Sequence, residues 1–218
     1  MDRFPATAKL AVASLVVAIG ISFPLGIAAA THHNSWLDGS SMVAAMFSVS
    51  MPSFWLGLLL IMLFSSKLGI LPSGGDSGFL SLILPAITLG SHQAGSLTRT
   101  VRSSMLDVIR QDYLRTARAK GVSEKEVIRK HALKNALIPI LTVLGSTLGN
   151  ALGGSVTVEA VFAWPGVGRL TVSAINSRDM TLATGYIIMF TLLLNLTLLA
   201  VDIAYAFVDP RIKARYSK

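Results

Sequence analysis

Long apolar runs constrain this chain more than any other feature of its sequence. Four segments, at about 8–30, 42–64, 136–162 and 184–208, are long and apolar enough for the roughly 20-residue helix that crosses a bilayer. A fifth, at about 80–98, is marginal because polar residues interrupt it. Only 14% of the 218 residues are charged, whereas soluble domains carry about 25%. The sequence therefore predicts one all-α, polytopic membrane domain with five transmembrane helices, kinked at Pro52 and Pro85.

The positions of Lys and Arg predict how this domain is oriented. If the N-terminus lies outside, the cytoplasmic segments hold 14 of the 19 basic residues, as the positive-inside rule requires. The cytoplasmic segments are then 31–41, 99–135 and 209–218, and the extracytoplasmic segments are 67–79 and 164–180. Arg3 and Lys9 oppose this orientation locally, because they precede the first helix. A further helix upstream removes the conflict, so we expect the native protein to begin before Met1.

The first apolar run has an alternative interpretation as a secretory signal. Arg3, Lys9 and the small residues Ala28-Ala29-Ala30 fit that pattern. The run is longer than the 7–15 residues typical of a signal, which favours the transmembrane interpretation.

Several function classes are disfavoured by composition. The net charge of +8 could suggest nucleic acid, but the basic residues lie in short loops between apolar runs, which is typical of membrane topology. Cysteine is absent, which excludes disulfides and thiol chemistry. No catalytic dyad, paired carboxylate or metal cluster is evident, and we expect His32 and His33 to be solvated. A membrane-embedded enzyme and a non-transporting structural subunit stay as alternatives to transport.

Residues 112–134 form a basic segment between two apolar runs. Asp112 suits a helix N-cap, and Gly121 suits the left-handed stop that ends a helix. Ser123 and Glu126 then have the spacing of a capping box that starts a second helix, which continues into the fourth span. The segment could lie on anionic lipid, read nucleic acid as a helix-turn-helix, or dock on a cytoplasmic partner.

Other polar and small residues inside the spans are candidate sites. Polar residues in a membrane tend to face cavities or neighbouring helices. Pathway lining is therefore expected for Ser91, His92, Gln93 and Ser96. Gly145, Gly149 and Gly153 recur every four residues, which predicts close helix packing. Asp202 could pair with Arg99 or Arg102.

Several stretches together resemble one known family. They are DYLRTARAKGVSEKEVIRKHALKNALIP (112–139), PSFWLGLLLIMLF (52–64), LPAITLG (84–90), VEAVFAWPGVGRL (158–170) and DIAYAFVDPRI (202–212). They are similar, in order, to the permeases of ABC importers, in the dipeptide/oligopeptide/nickel branch. Arg115 and Thr116 stand where the general signature has Glu-Ala, and the family's first helix and the segment after it are not matched.

The resemblance implies the type I ABC importer permease fold, six-helical in the family, in a bacterial inner membrane with the C-terminus in the cytoplasm. It implies half of a pathway for peptides or a related solute, with nickel or opines as alternatives. The implied partners are a second permease, two cytoplasmic ATPases and an extracytoplasmic solute-binding protein. The chain lacks a G-x-x-x-x-G-K-[ST] loop, so ATP is expected on the ATPases and no cofactor here.

The resemblance also implies roles for particular residues. ATPase coupling is assigned to Asp112, Tyr113, Leu114, Arg115, Thr116, Ala117, Arg118 and Gly121. A gate or binding-protein contact at the outer mouth is assigned to Glu159, Phe162, Trp164, Pro165 and Gly166, although Trp164 could simply anchor the loop at the membrane interface.

Overall fold

The computed structural model describes residues 3–208, except for the side chains of residues 201, 202 and 204–208. Over this range the chain forms helices joined by short loops. They are α1 (Phe4–Thr31), α2 (Trp36–Ser50), α3 (Ser53–Leu60), α4 (Phe79–Ile109), α5 (Asp112–Ala119), α6 (Glu124–Glu126), α7 (Leu133–Val161), α8 (Val167–Asn176) and α9 (Met180–Val208). A π-helical stretch, Ile61–Lys67, extends α3, and another, Val127–Ala132, joins α6 to α7.

Not every predicted span is equally apolar. Among the described residues, α1, the continuous helix Glu124–Val161 and the part of α9 up to Ala200 are long and apolar enough to cross a membrane. Helix α2 together with Ser53–Lys67 can count as a fourth span. The remaining predicted span, α4, falls short on hydropathy because of its polar residues, yet it packs against α1, α2, α3 and α7 at the centre of the bundle.

The prediction of one helix over 42–64 is wrong. Helices α2 and α3 are separate and meet at an angle of 98°. Met51 and Pro52 are both extended, with ψ angles of 125° and 132°. Proline disfavours a helical conformation for the residue before it, so the chain breaks at Pro52 instead of kinking. Pro85, by contrast, lies inside α4 without ending it.

The buried residues form two apolar clusters, one at each end of the bundle. The first joins α1 and α4 to the α5 region through residues such as Val101, Met105 and Leu114. The second joins α1, α4 and α7 around Phe162 and Trp164. We call these the α5 end and the α8 end. The basic segment 112–134 lies at the α5 end, and the loop after α7 lies at the α8 end.

Candidate coupling element and transport pathway

The glycine corner after α5 is built as the sequence predicts. Gly121 has a φ of +83°, a conformation that glycine adopts at little cost. Its N–H donates to the carbonyl of Arg118 at 2.9 Å, and the N–H of Val122 donates to the carbonyl of Ala117 at 3.3 Å. These two bonds form a Schellman motif. The corner therefore ends α5 sharply and fixes the direction in which the chain leaves it.

The predicted caps of this segment differ in detail. Gln111 is the N-cap of α5, and Asp112 is its first residue. Ser123 does occupy the N-cap position of α6, but its side chain makes no capping hydrogen bond. The carboxylate of Glu126 pairs instead with Lys130, one turn further on. The predicted reciprocal capping box is therefore absent.

Leu114 holds α5 to the rest of the subunit. Its side chain is fully buried in the cluster that includes Met105 and Val127. A part for Leu114 in ATPase coupling would therefore act through its anchoring of α5, because no partner can reach its side chain while α5 stays folded in place. Tyr113 adds a second attachment, since its hydroxyl accepts a hydrogen bond from Asn135 Nδ2 at 2.9 Å.

An ion pair closes the corner between α5 and the following helix. The Arg118 guanidinium donates to both carboxylate oxygens of Glu124, at 2.9 Å each. This bidentate hydrogen bond raises the pKa of Arg118 above its usual value. Both side chains are partly exposed, so the pair orients the corner more than it stabilises the fold.

The outer surface of α5 is exposed and polar. Asp112, Tyr113, Arg115 and Thr116 are exposed, and Ala117 and Arg118 are half-buried. The result is a short, basic helix on the α5 end, anchored by one leucine and followed by a rigid turn. Such a surface suits a groove on another protein.

The four polar residues of α4 do not share one environment. Ser96 is exposed, Ser91 and His92 are half-buried, and Gln93 is buried. The carbonyl of Ser91 accepts a hydrogen bond from the Ser48 hydroxyl of α2. Within the described part of the chain, the Gln93 amide has no hydrogen-bond partner. In this conformation Ser96 is the most accessible candidate for a pathway-lining role.

The loop at the α8 end is more buried than a gate at an open mouth would be. Glu159, Phe162 and Trp164 are fully buried. The indole Nε1 of Trp164 donates to the carbonyl of Ala6 at 2.9 Å. Trp164 is thus an internal attachment to α1, and its interpretation as an interfacial anchor is wrong.

Glu159 lies under the start of α8. Its Oε2 accepts a hydrogen bond from the N–H of Arg169 at 3.1 Å, which satisfies a donor of the first helical turn. A Cβ on Gly166 would lie 2.3 Å from the Glu159 carboxylate, so the site requires a glycine there. Next to it, a pocket of about 260 Å³ is lined by Arg3, Pro165, Gly166, Arg169, Leu170 and Ser173. Of the five residues assigned to a gate or binding-protein contact, Pro165 and Gly166 line this pocket.

The three regularly spaced glycines are not equivalent. A Cβ on Gly149 would lie 2.5 Å from Leu198 Cδ2 of α9, whereas a Cβ on Gly153 would lie 3.9 Å from its nearest neighbour, Leu194. Gly153 is exposed and Gly145 is half-buried. Gly149 is therefore a position of close packing between α7 and α9, and Gly153 is not.

Sequence reasoning missed a charged cluster at the α5 end. Asp38, at the start of α2, is buried and pairs with Arg102 of α4. His33 is exposed, as expected, but its Nδ1 also lies 3.2 Å from Asp38 Oδ2. The Asp202 side chain lies outside the described residues, and the partner found for Arg102 is Asp38. A single acid, 64 positions before its partner, gives no pattern that a sequence could show.

Comparison with known proteins identifies the class of the chain. The family model described as "Binding-protein-dependent transport system inner membrane component" matches residues 22–214. The chain belongs to this family. Its members are multi-pass transport subunits of inner membranes, not enzymes, and separate subunits hydrolyse ATP. The family implies ATPase and binding-protein partners for this permease.

Two relatives place the permease more closely within the family. It is 45% identical over 212 residues to the glutathione transport system permease protein GsiC of Escherichia coli (strain K12). It is 44% identical to the protein of the same description from Salmonella typhimurium. These alignments cover 97% of this chain and 69% of each relative.

Solved structures agree on the fold. An inward-facing structure of the MetNI methionine ABC transporter matches with a TM-score of 0.81 at 20% identity, covering 95% of both chains. An amino acid ABC transporter matches with a TM-score of 0.71 at 13% identity, covering 96% of this chain and 92% of that chain. The prediction of an all-α type I ABC importer permease fold is confirmed.

Proposed function

We propose that this permease forms half of the pathway of an ATP-driven importer for small peptides, with glutathione as the first substrate to test. The description and 44–45% identity of the relatives support this substrate class. A second homologous permease completes the pathway, two cytoplasmic ATPases drive it, and an extracytoplasmic binding protein delivers the solute. The α5 end lies in the cytoplasm, which places the basic residues inside.

The observation that carries this proposal is the construction of α5. Leu114 and the Gly121 corner hold a short exposed helix in a fixed position, and α4 leads into it through only Arg110 and Gln111. Movement of an ATPase bound to α5 is therefore passed directly to a central helix of the bundle. Its exposed face, which includes Tyr113 and Arg115, contacts the ATPase.

Uptake by the reconstituted complex tests this role. Proteoliposomes containing the permease with its partner subunits should take up labelled glutathione only with ATP and the binding protein. Arg115→Glu reverses a charge on the proposed contact face and should reduce both ATPase association and uptake. Arg129→Glu is the matched control, because Arg129 is also exposed and basic but lies beyond the corner.

Different failures have different meanings. Equal ATPase association in the two variants would show that α5 does not bind the ATPase. Uptake of a dipeptide or of nickel in place of glutathione would change the substrate but leave the coupling role intact.

A further inference from the structure

An ion pair between the buried Asp38 and the half-buried Arg102 joins the α5 end of α2 to α4. Arg102 Nε donates to Asp38 Oδ1 at 2.5 Å, and Arg102 Nη2 donates to Asp38 Oδ2 at 2.7 Å. The N–H of Asn34 donates to the same Oδ2 at 3.0 Å. Bidentate pairs of this kind fix both distance and orientation. The contact therefore determines how the start of α2 sits on α4.

Two further contacts join α2 to α4, which run antiparallel to each other; together with the ion pair we call them the α2–α4 seam. A Cβ on Gly95 of α4 would lie 2.4 Å from the carbonyl oxygen of Ala45 of α2, so the two backbones are in close contact. Closer to the break, the Ser48 hydroxyl bonds to the carbonyl of Ser91. Helix α2 is thus attached to α4 near its start, its middle and its end. The ion pair is the strongest and most directional of the three attachments.

The α2–α4 seam lies close to α5, so a movement of α5 would reach it through α4. Arg102 lies two helical turns before the end of α4, which leads into α5. At the other end of α2, the chain breaks at Pro52, and α3 packs against both α4 and the end of α7. A Cβ on Gly57 of α3 would lie 3.0 Å from the Phe162 ring. Helix α2 is therefore expected to follow α4, whereas α3 is additionally held at the α8 end through Phe162.

We propose that Asp38 and Arg102 are positioning residues for transport, which make α2 follow α4 when the ATPases move α5. The break at Pro52 is then the point at which α2 changes its angle to α3. The proposal rests on the coupling role proposed above for α5. It gives the ion pair a function in transmission rather than in substrate contact.

Transport efficiency in the reconstituted complex tests this role. Asp38→Asn keeps the shape of the side chain and removes its charge. We expect glutathione uptake per ATP hydrolysed to fall about tenfold, in the range of typical coupling between sites, while ATP hydrolysis continues. Arg102→Lys keeps the charge but loses the bidentate geometry and should give a smaller loss. Arg99→Gln, exposed on the same helix, is the control and should change nothing.

Spin-label distances supply a readout that does not depend on the substrate. Labels at Ser40→Cys on α2 and Ser103→Cys on α4 are possible because both positions are exposed and the chain has no cysteine. Their separation should stay constant with and without ATP in the otherwise unchanged complex. With Asp38→Asn added, it should change with ATP.

The outcomes distinguish the two proposals. If uptake per ATP and the label separation are unchanged by Asp38→Asn and Arg102→Lys, the ion pair does not position α2. If hydrolysis and uptake fall in proportion in both variants, the pair is merely structural and the proposal fails. If the unchanged complex takes up no glutathione, the substrate proposal fails, and the label separation still decides the role of the pair.

Discussion

Truncation of Leu114 should release α5 from the subunit. The side chain is fully buried, and replacing a buried leucine by alanine costs about 2–5 kcal/mol. Ala117 packs against the same cluster but contributes only a methyl group. Two polar side-chain attachments also join α5 to the rest of the described chain, the Tyr113–Asn135 hydrogen bond and the Arg118–Glu124 pair. Both are exposed, and such interactions contribute about 1 kcal/mol or less. Leu114 is therefore expected to make the largest single side-chain contribution to the free energy that holds α5 in place.

Hydrogen exchange measures this effect directly. If exchange of the α5 amides follows local opening, a loss of 2–5 kcal/mol increases their rates by about 30-fold to several thousand-fold. Arg115→Ala is the control, because Arg115 lies next in the chain and is exposed. Both variants should be compared by mass spectrometry in the same lipid nanodiscs. Equal exchange of α5 in Leu114→Ala and in the unchanged protein would refute the anchoring argument.

Three further perturbations test other parts of the structure. Gly121→Val should weaken ATPase association in a pull-down more than Gly121→Ala. The left-handed conformation costs a non-glycine residue about 1–3 kcal/mol, and it costs a β-branched residue the most. Equal binding of the ATPase by the two variants would contradict this. Gly149→Leu should lower the thermal unfolding temperature through a clash costing about 1–3 kcal/mol. Gly153→Leu, at an exposed position, should not lower it. Equal unfolding temperatures of the two variants would show that packing at Gly149 is loose. Ser73→Cys should react with a membrane-impermeant maleimide from outside, and reaction only from the cytoplasmic side would reverse the predicted orientation.

The sequence was most informative where a local rule determines the structure. Apolar runs of fixed length predicted the helices, and one glycine after a helical pattern predicted the corner at Gly121, because a left-handed residue needs only its own φ angle. The start of α5 was predicted within one residue for the same reason. The coupling residues were assigned from resemblance to a family, since the physical pattern alone left lipid binding and protein docking open.

The sequence was least informative where distant residues decide the structure. The apolar pattern over 42–64 is continuous and hides the break at Pro52, since proline only disfavours a helical neighbour and packing determines the angle. The sequence suggested Asp202 as a possible partner of Arg102 and gave no indication of Asp38, because only the packing of α2 on α4 brings Asp38 to Arg102. Leu114 was assigned to ATPase coupling together with residues that are exposed, and its burial depends on Met105 and Val127 from other segments.

The attachment of α1 to the loop after α7 also bears on how the polypeptide matures in the membrane. The indole of Trp164 bonds to the carbonyl of Ala6, and the N–H of Val167 donates to Thr7 Oγ1 at 3.0 Å. These partners are 158 and 160 positions apart in the chain. During synthesis, α1 enters the bilayer long before residues 164–167 leave the ribosome, so the N-terminal end of α1 has neither bond in the meantime. We therefore expect that end of α1 to become resistant to protease only after residues 164–167 have joined it, and to stay sensitive in nascent chains stalled before Trp164.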